Sequence, residues 1–388
     1  MAEPPSSSAE LAADADRRAA QRDFRGARAA LEQAVALAGD DVDLWLKLTA
    51  MCRADGDLAG ALAAVRGGLR VDPLHFLALL IRANILEQMQ DPASGEAYGQ
   101  ALAQQPDGAP APALQRMIDH ARERHRADTR ARLARLEAAM APVAAGASPD
   151  EATRLARFRT NAVRLTRPYH SEPTSYHYPG LPEREFHDRA SFAWLAGLEA
   201  ATDAIAADFA RVAAAEHAQL IPYIQYPDDV PLRQWKELNH NPAWTAIHLW
   251  RNGRRIDANA RHCEATMAAV ADLPMPDIAG CSPNAMFSLL APGAHIPPHT
   301  GVANTRLVCH LPLIVPDGCW FRVGAETRQW RRGEAWIFDD TIEHEAGNES
   351  EALRVVLIVD IWHPGLGPAE REAVSAMMGA DAGRTGVP

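Results

Sequence analysis

Apolar and small residues recur at helical spacing through the first quarter of the chain. The segment DFRGARAALEQAV, which starts at Asp23, resembles DLAGALAAVRGGL, which starts at Asp57, at an offset of 34 residues. A third, weaker copy runs over 93–106, at an offset of 33 from the second. A period of this length predicts helix pairs that stack and bury their apolar faces against their neighbours.

The period and the small residues within it resemble tetratricopeptide repeats, which implies a helical-repeat domain over 11–107. The Pro/Ser-rich residues 1–10 are predicted to form a disordered tail ahead of it. An ordinary helical bundle is the alternative, because Ala-rich helices often look alike. Over 108–151 we predict a connecting helix and a linker, with Leu114, Ile118 and Ala121 on one apolar stripe.

The pattern changes at about residue 160, where Pro, aromatic residues and His become frequent. We predict two helices next, over 190–215 and 258–273. Beyond Cys281 follow short strand candidates, which are AMFSLL, TRLVCHLPLIV, CWFRVG, ETRQW, EAWIFD and RVVLIVDIWHP. Short strands punctuated by Pro, Gly and Asp predict a jelly roll. The predicted fold is α+β and multidomain, with the repeats followed by a double-stranded β-helix domain over 152–388.

Composition excludes several classes of protein. The net charge of −11 disfavours nucleic acid as a partner, because phosphate binding needs a basic surface. Five cysteines without a CxxC pair argue against a disulfide framework or a zinc site and fit a reducing compartment. Neither a signal peptide nor a membrane-spanning run is visible, so a cytoplasmic protein is expected. Only Lys47 and Lys236 are lysines, a bias that favours a GC-rich bacterial genome.

Two histidines in the predicted jelly roll are candidates for metal binding. His299 and His344 lie 45 residues apart, the second directly after a predicted strand. Neutral imidazole binds Fe(II) well, and non-haem iron oxygenases keep open positions for oxygen and a cosubstrate. Taken alone, each histidine is more often a structural or surface residue than a ligand.

The sequence around these histidines carries a more specific signal. The motifs PHTG, NxRLxxHL, RVGxExRxW, FDDxxEHE and DxWHP occur in this order between residues 298 and 364. They closely resemble the aspartyl/asparaginyl β-hydroxylase family, and a looser resemblance extends back to about residue 186. Members of this family use Fe(II), O₂ and 2-oxoglutarate, which is decarboxylated to succinate while the substrate is hydroxylated.

The resemblance implies a role for individual residues. The iron ligands correspond to His299 and His344, and the contacts to the cosubstrate correspond to Ser288, His310 and Arg354. An arginine suits the distal carboxylate of 2-oxoglutarate because its planar fork makes bidentate, charge-assisted hydrogen bonds.

The chain departs from the family pattern at one position. Better-known members have a second basic residue two positions before the residue matched by His310, and here that position is Val308. Because alternate residues of a strand share a face, Arg306 is a possible substitute. The contact to the C1 carboxylate of 2-oxoglutarate is therefore in doubt.

The third iron position is predicted to lack a carboxylate. In most enzymes of this chemistry it comes from two residues after the first histidine, where this chain has Gly301. Asp339, Asp340 and Glu345 flank the second histidine at unusual spacings, and the two aspartates fit a supporting or a turn role equally. We predict that water or the cosubstrate fills this position. An open position also leaves halogenation as a minor alternative.

The predicted function is hydroxylation of the β-carbon of an Asp or Asn residue in a peptide or protein held partly by the repeats. Concave repeat surfaces commonly hold extended segments. The alternatives are hydroxylation of a small acidic molecule or a lipid acyl chain, and a non-catalytic repeat scaffold with a decayed jelly roll. Val308 favours decay, whereas His299, His344 and Arg354 argue against it.

Overall fold

The structure, a computed structural model, describes residues 7–215, 220–227, 229 and 231–382. The chain divides into two compact units that meet at residues 163 and 164. Residues 1–6 of the predicted tail lie outside the described residues, and residues 8–10 form the first turn of a helix. The helices of the first unit are α1 (Ser8–Ala20), α2 (Phe24–Leu37), α3 (Val42–Ala54), α4 (Leu58–Val71), α5 (Phe76–Gln88), α6 (Ser94–Leu102), α7 (Pro112–Ala144) and α8 (Pro149–Ala162).

The repeat predicted from the sequence is visible in the structure, because helices begin in the same way at equivalent positions of successive repeats. Asp23 caps α2 by accepting a hydrogen bond from the backbone N–H of Gly26, and Asp57 caps α4 through Gly60 in the same way. A side-chain oxygen at this position satisfies a backbone donor that has no partner within the helix. The 34-residue offset therefore places the same cap at the start of successive repeats.

Consecutive helices of this unit pack into one apolar core. It is built mainly from small and aliphatic side chains, among them Ala27, Leu31, Ala61 and Leu79. Ile118 and Ala121 on α7 are buried, in agreement with the predicted stripe. The prediction of a tetratricopeptide-like helical module is confirmed.

The second unit is a β-sandwich with flanking helices. Its helices are α9 (Leu195–Ala200), α10 (Thr202–Ala213), α11 (Asp257–Ala260), α12 (Glu264–Ala271) and α13 (Pro368–Asp381). Its strands are β1 (Leu220–Pro222), β2 (Trp244–Arg251), β3 (Arg254–Arg255), β4 (Ala285–Leu290), β5 (His295–His299), β6 (Arg306–Ile314), β7 (Cys319–Val323), β8 (Glu326–Gln329), β9 (Trp336–Phe338), β10 (His344–Asn348) and β11 (Arg354–Trp362).

The strands form two antiparallel sheets. The larger has the order β1-β2-β4-β11-β6-β9, with β3 paired to β2, and the smaller has the order β5-β10-β7-β8. Inward-facing residues such as Met286, Val308, Phe321 and Ile358 form a core between the sheets. The opposite face of the larger sheet packs against α9, α10 and α12. The predicted α+β fold with a C-terminal jelly roll is confirmed.

The helix predicted over 190–215 is wrong in its extent. The structure has two shorter helices, α9 and α10, that meet at Ala201. The hydroxyl of Thr202 donates a hydrogen bond of 2.6 Å to the carbonyl of Glu199, while the Glu199 carboxylate pairs with Arg189. These local bonds compete with the helical ladder and end α9 early.

Candidate active site

His299 and His344 lie side by side. His299 ends β5, His344 begins β10, and the two are direct partners in the antiparallel register. Their ring centroids are 4.1 Å apart, and both side chains are buried. β5 is the edge strand of its sheet, so it tolerates Pro297 and Pro298, which lack the N–H that an inner strand would need.

Both imidazoles are held by a backbone carbonyl two residues before them. Nδ1 of His299 lies 2.8 Å from the carbonyl oxygen of Pro297, and Nδ1 of His344 lies 3.1 Å from that of Ile342. A proton on Nδ1 leaves Nε2 with the lone pair, which is the arrangement of a metal-binding histidine. Burial lowers the pKa of His344 to about 4 and, with His344 nearby, holds that of His299 well below its usual range. Both rings are therefore neutral at pH 7.

The residue two positions after His299 has no room for a side chain. A Cβ on Gly301 would lie 2.2 Å from Oδ2 of Asp340. The Gly301 N–H also donates a 2.7 Å hydrogen bond to the Asp340 carbonyl, which fixes the approach of the two segments. Among the described residues, no group of three or more His, Cys, Asp or Glu could hold a metal ion. The identity of the third ligand stays a prediction.

Arg354 lies inside the sandwich without a carboxylate partner among the described residues. It is 2% exposed, its Nη1 is 3.4 Å from the Ser288 hydroxyl, and its Nε has no hydrogen-bonding partner. Its guanidinium also lies 4.9 Å from the ring centroid of Trp330. Burial lowers its pKa to about 10, so it remains cationic at pH 7. A buried cation of this kind fits an anionic ligand, because an unpaired charge away from water is costly.

Further polar atoms with no partner lie near Arg354. Nδ1 of His310 and Nε1 of Trp330 are buried without a hydrogen-bonding partner. The ring of His310 packs 6.1 Å from that of Trp330 and 4.8 Å from that of Phe338. Burial and the neighbouring Arg354 hold the pKa of His310 well below its usual range. These orphaned donors suit a small ligand rich in oxygen atoms.

Arg306 forms ion pairs with two aspartates of the second unit. Its Nη2 lies 3.2 Å from Oδ2 of Asp340, and its Nη1 lies 2.9 Å from Oδ1 of Asp360. Asn284 extends this chain by donating a 2.8 Å hydrogen bond to Oδ2 of Asp360. The structure therefore brings Ser288, His310 and Arg354 together but holds Arg306 in a separate buried charge network.

The two aspartates before His344 have different surroundings. Asp339 accepts hydrogen bonds from the backbone N–H and the hydroxyl of Thr341, so it fixes the turn that leads to His344. Asp340 joins the Arg306 network, and its Oδ1 is buried without a partner. The hydrogen bonds thus place Asp339 in the turn before His344, and the ion pair places Asp340 in the Arg306 network.

The site also contains residues that the sequence did not indicate. Nε1 of Trp244 donates a 3.1 Å hydrogen bond to the Ser288 hydroxyl, and Tyr223 stacks on Trp244 with centroids 3.9 Å apart. Trp235 lies 5.3 Å from the ring of His299. All of them line one cavity of about 1370 Å³, counted to its solvent-filled mouth, together with His299, His344 and Arg354. No periodicity or motif around these aromatic residues indicated their position.

Comparisons with known proteins identify the family of this domain. A family model described as Aspartyl/Asparaginyl beta-hydroxylase matches residues 199–364. The human protein named Aspartyl/asparaginyl beta-hydroxylase is 35% identical over 153 residues, which are 39% of this chain and 19% of that protein. The chain thus spans about a fifth of the length of the human relative.

A bacterial relative matches over a longer stretch. The Ornithine lipid ester-linked acyl 2-hydroxylase of Rhizobium tropici is 34% identical over 229 residues, which are 58% of this chain and 75% of that protein. Among solved structures, the Sgt2 TPR domain from Aspergillus fumigatus covers 33% of this chain and 84% of its own, with 20% identity and a TM-score of 0.29. Within the described ranges, no helix is long and apolar enough to span a bilayer.

Proposed function

The chain belongs to the aspartyl/asparaginyl β-hydroxylase family, and we propose that it is an Fe(II)- and 2-oxoglutarate-dependent dioxygenase. Its prime substrate in this proposal is an Asp or Asn residue of a peptide or protein, hydroxylated at the β-carbon. The observation that carries the proposal is that one cavity holds a pair of oriented, neutral histidines and a buried arginine without a carboxylate partner among the described residues.

The two histidines suit a divalent transition metal. Neutral imidazole is a good ligand for Fe(II), and both rings present Nε2 from neighbouring strands. Bound Fe(II) would supply the oxygen chemistry, in which 2-oxoglutarate is converted to succinate and CO₂ and the substrate gains a hydroxyl group. The side chain of Asp340 leaves no space for a side chain at position 301, which supports a site without a carboxylate ligand from that position.

The part of the cavity around Arg354 suits 2-oxoglutarate. Arg354 and the Ser288 hydroxyl would hold the distal carboxylate, and Trp244 orients that hydroxyl by donating to it. The ring of Trp330 packs against the guanidinium, which is almost fully buried. His310 offers an unpartnered nitrogen to the same ligand. A charge-assisted hydrogen bond in such a dry site is stronger than one in water.

The C1 carboxylate lacks the second basic residue of better-known family members. Val308 is buried on β6 and apolar, and Arg306 is already paired with Asp340 and Asp360. Arg306 can serve the cosubstrate only by giving up one of these partners. We therefore assign the main electrostatic attraction for 2-oxoglutarate to Arg354, with metal coordination supplying the rest.

Hydroxylation of a lipid acyl chain is the second candidate function. The observation that favours it is the match to the Rhizobium acyl 2-hydroxylase over 75% of that protein. Apolar side chains of the cavity, among them Met286, Val308 and Ile358, are compatible with a hydrocarbon substrate.

A paired turnover screen separates the two candidates. The full chain is incubated with Fe(II), 2-oxoglutarate and O₂, and either an Asp- and Asn-containing peptide library or acyl lipids. The first proposal expects a peptide product heavier by one oxygen atom, with β-hydroxylation located by fragmentation. Oxygen insertion into acyl chains alone would replace it with the second. Failure to form succinate under any condition would contradict both.

A further inference from the structure

The cavity has a second polar region away from Arg354, at the other end of β4. His248 and Arg251 on β2 line it, together with Asn252 and Asn284. In the sheet register His248 is the partner of Met286, two residues along β4 from Ser288. Two residues of a strand span roughly 7 Å. The region is therefore a separate part of the cavity wall.

A β-bulge directs Arg251 into the cavity. The pairing of β2 with β4 shifts between His248 and Trp250. Leu249 and Trp250 both pack against the core on the opposite face of the sheet, whereas His248 and Arg251 line the cavity. Regular alternation would put Arg251 and Leu249 on the same face, so the extra residue reverses the direction of Arg251. Bulges commonly re-aim a side chain next to a functional site.

His248 is unusual among the buried histidines of this unit. It is 8% exposed, and apart from a weak interaction with the backbone of Trp250 neither ring nitrogen has a hydrogen-bonding partner among the described residues. By contrast, His299 and His344 both have a backbone partner for Nδ1. Buried polar groups are generally paired, so two nitrogens without a well-placed partner, on a side chain that lines the cavity, suit a polar ligand group.

Arg251 supplies a second cation that has no ionic partner among the described residues, besides Arg354. It makes no ion pair with any described residue, whereas Arg306 is held by Asp340 and Asp360. Burial and the nearby Arg251 lower the pKa of His248 to about 4, so His248 is neutral at pH 7 and can donate one hydrogen bond. A guanidinium fork beside a neutral imidazole suits a carboxylate.

Part of the wall next to this polar pair is apolar, whereas Asn284 and Asp360 line another part of it. Met286 lies between His248 on β2 and Ile358 on β11 in the register, and Val308 lines the same cavity. A ligand that extends from His248 along Met286 and Val308 therefore meets a hydrophobic surface. Burying such a stretch is favourable for a hydrocarbon chain and unfavourable for a chain of polar groups.

We propose that His248 and Arg251 form a binding site for a carboxylate of the prime substrate that is separated by a short apolar stretch from the carbon that is hydroxylated. The proposal rests on the proposed function only in taking this cavity as the entry of the prime substrate. In this proposal the carboxylate of the substrate binds at a different place from the two carboxylates of 2-oxoglutarate, which would bind Arg354 and the metal.

Hexanoate and its neutral counterpart hexanol are the probes, titrated against the full-length protein with Fe(II) and saturating 2-oxoglutarate under anaerobic conditions. Intrinsic fluorescence reports binding, because Trp235 and Trp244 line the cavity. The variant is Arg251→Gln. The matched control is Arg254→Gln, because Arg254 is the register partner of Arg251 on β3, is exposed, and does not line the cavity.

We expect wild-type protein and Arg254→Gln to bind hexanoate more tightly than hexanol. Arg251→Gln should weaken the binding of hexanoate by about tenfold or more, as expected when a charged hydrogen bond is lost, and leave the binding of hexanol unchanged. Equal affinity of the wild type for both probes, or hexanoate binding unaffected in Arg251→Gln, overturns the site.

If Arg251→Gln binds neither probe, the variant His248→Gln is titrated with the same two probes. It should weaken hexanoate and keep hexanol, and unchanged hexanoate affinity overturns the proposal. The binding of 2-oxoglutarate is titrated separately. If the proposed function is wrong, 2-oxoglutarate does not bind, whereas if only this site is wrong, 2-oxoglutarate binds normally.

Discussion

The carboxylate of Asp340 lies where a side chain at Gly301 would have to begin, with only 2.2 Å between its Oδ2 and a Cβ built there. The two residues are also joined by a backbone hydrogen bond of 2.7 Å. Position 301 is where most enzymes with two histidines and one carboxylate place the third ligand. Here the neighbouring chain segment already occupies that space.

Gly301→Ala should therefore damage both the fold and the metal site. The added methyl group must push Asp340 away from Arg306, at a cost of about 1–3 kcal/mol for overpacking. The free energy of unfolding and the Fe(II) affinity should both fall. Gly197→Ala is the control, because a Cβ there meets no atom within 4 Å. Unchanged stability and metal affinity in Gly301→Ala would rule out this packing argument.

Arg354→Ala should weaken the binding of 2-oxoglutarate by roughly 1.5–3 kcal/mol, which is the contribution of a charged hydrogen bond. The reason is that Arg354 is a buried guanidinium beside the Ser288 hydroxyl and has no acidic partner among the described residues. A titration of 2-oxoglutarate by intrinsic fluorescence measures the effect. Arg328→Ala, outside the cavity, should keep the wild-type dissociation constant. If Arg354→Ala keeps it as well, Arg354 has no role in cosubstrate binding.

Arg306→Gln should destabilise the protein in a pH-dependent way. Burial raises the pKa of Asp340 and Asp360, and Arg306 opposes that rise. Without Arg306, both carboxyls hold their protons more strongly in the folded chain than in the unfolded one. A carboxyl with a raised folded-state pKa contributes stability at low pH and loses it as the pH rises through that pKa.

The expected loss for Arg306→Gln is about 3–5 kcal/mol at neutral pH, as for a buried charge pair that loses one partner. The loss should be smaller near the acidic end of the stable range, where the aspartates can be protonated. Urea unfolding at two pH values measures it. Arg332→Gln, which breaks an exposed pair with Asp203, should cost less than about 1 kcal/mol. An equal loss for Arg306→Gln at both pH values contradicts the buried network.

Removal of the helical repeats tests whether the first unit binds substrate while the second unit carries out the reaction. A chain that begins at Arg164 comprises the second unit, which contains the whole cavity. We expect it to form succinate slowly without prime substrate, and to lose much of its turnover of a long peptide. Short peptides serve as the control, since they should be hydroxylated equally by both chains. Unchanged kinetics with the long peptide would mean that the repeats bind some other partner.

Several features could be predicted because they depend on residues close together in sequence. The 34-residue period carries its own capping aspartates, Asp23 and Asp57, so the repeats are visible as a local pattern. Every strand candidate beyond Cys281 became a strand, and most of them alternate or cluster apolar residues between turn formers. The two histidines stood out through a family resemblance, since a spacing of 45 residues contains no information on register.

Features that depend on sheet register could not be predicted. The network of Arg306, Asp340 and Asp360 joins three separate segments, and no pattern in any one of them indicates the others. The orientation of Arg251 depends on a bulge between β2 and β4, which only the paired strands define. The hydrogen bond from Trp244 to Ser288 likewise crosses two neighbouring strands. Such contacts are set by packing across the sandwich rather than by local sequence.

The most direct test of the central claim is succinate formation from 2-oxoglutarate, measured with and without Fe(II) for three histidine variants. His299→Ala and His344→Ala remove the oriented pair, and His295→Ala is the matched control because it is an exposed histidine on the same strand as His299. We predict Fe(II)-dependent succinate formation by the wild type and His295→Ala and none by the other two. Full succinate formation by either His299→Ala or His344→Ala would contradict the account.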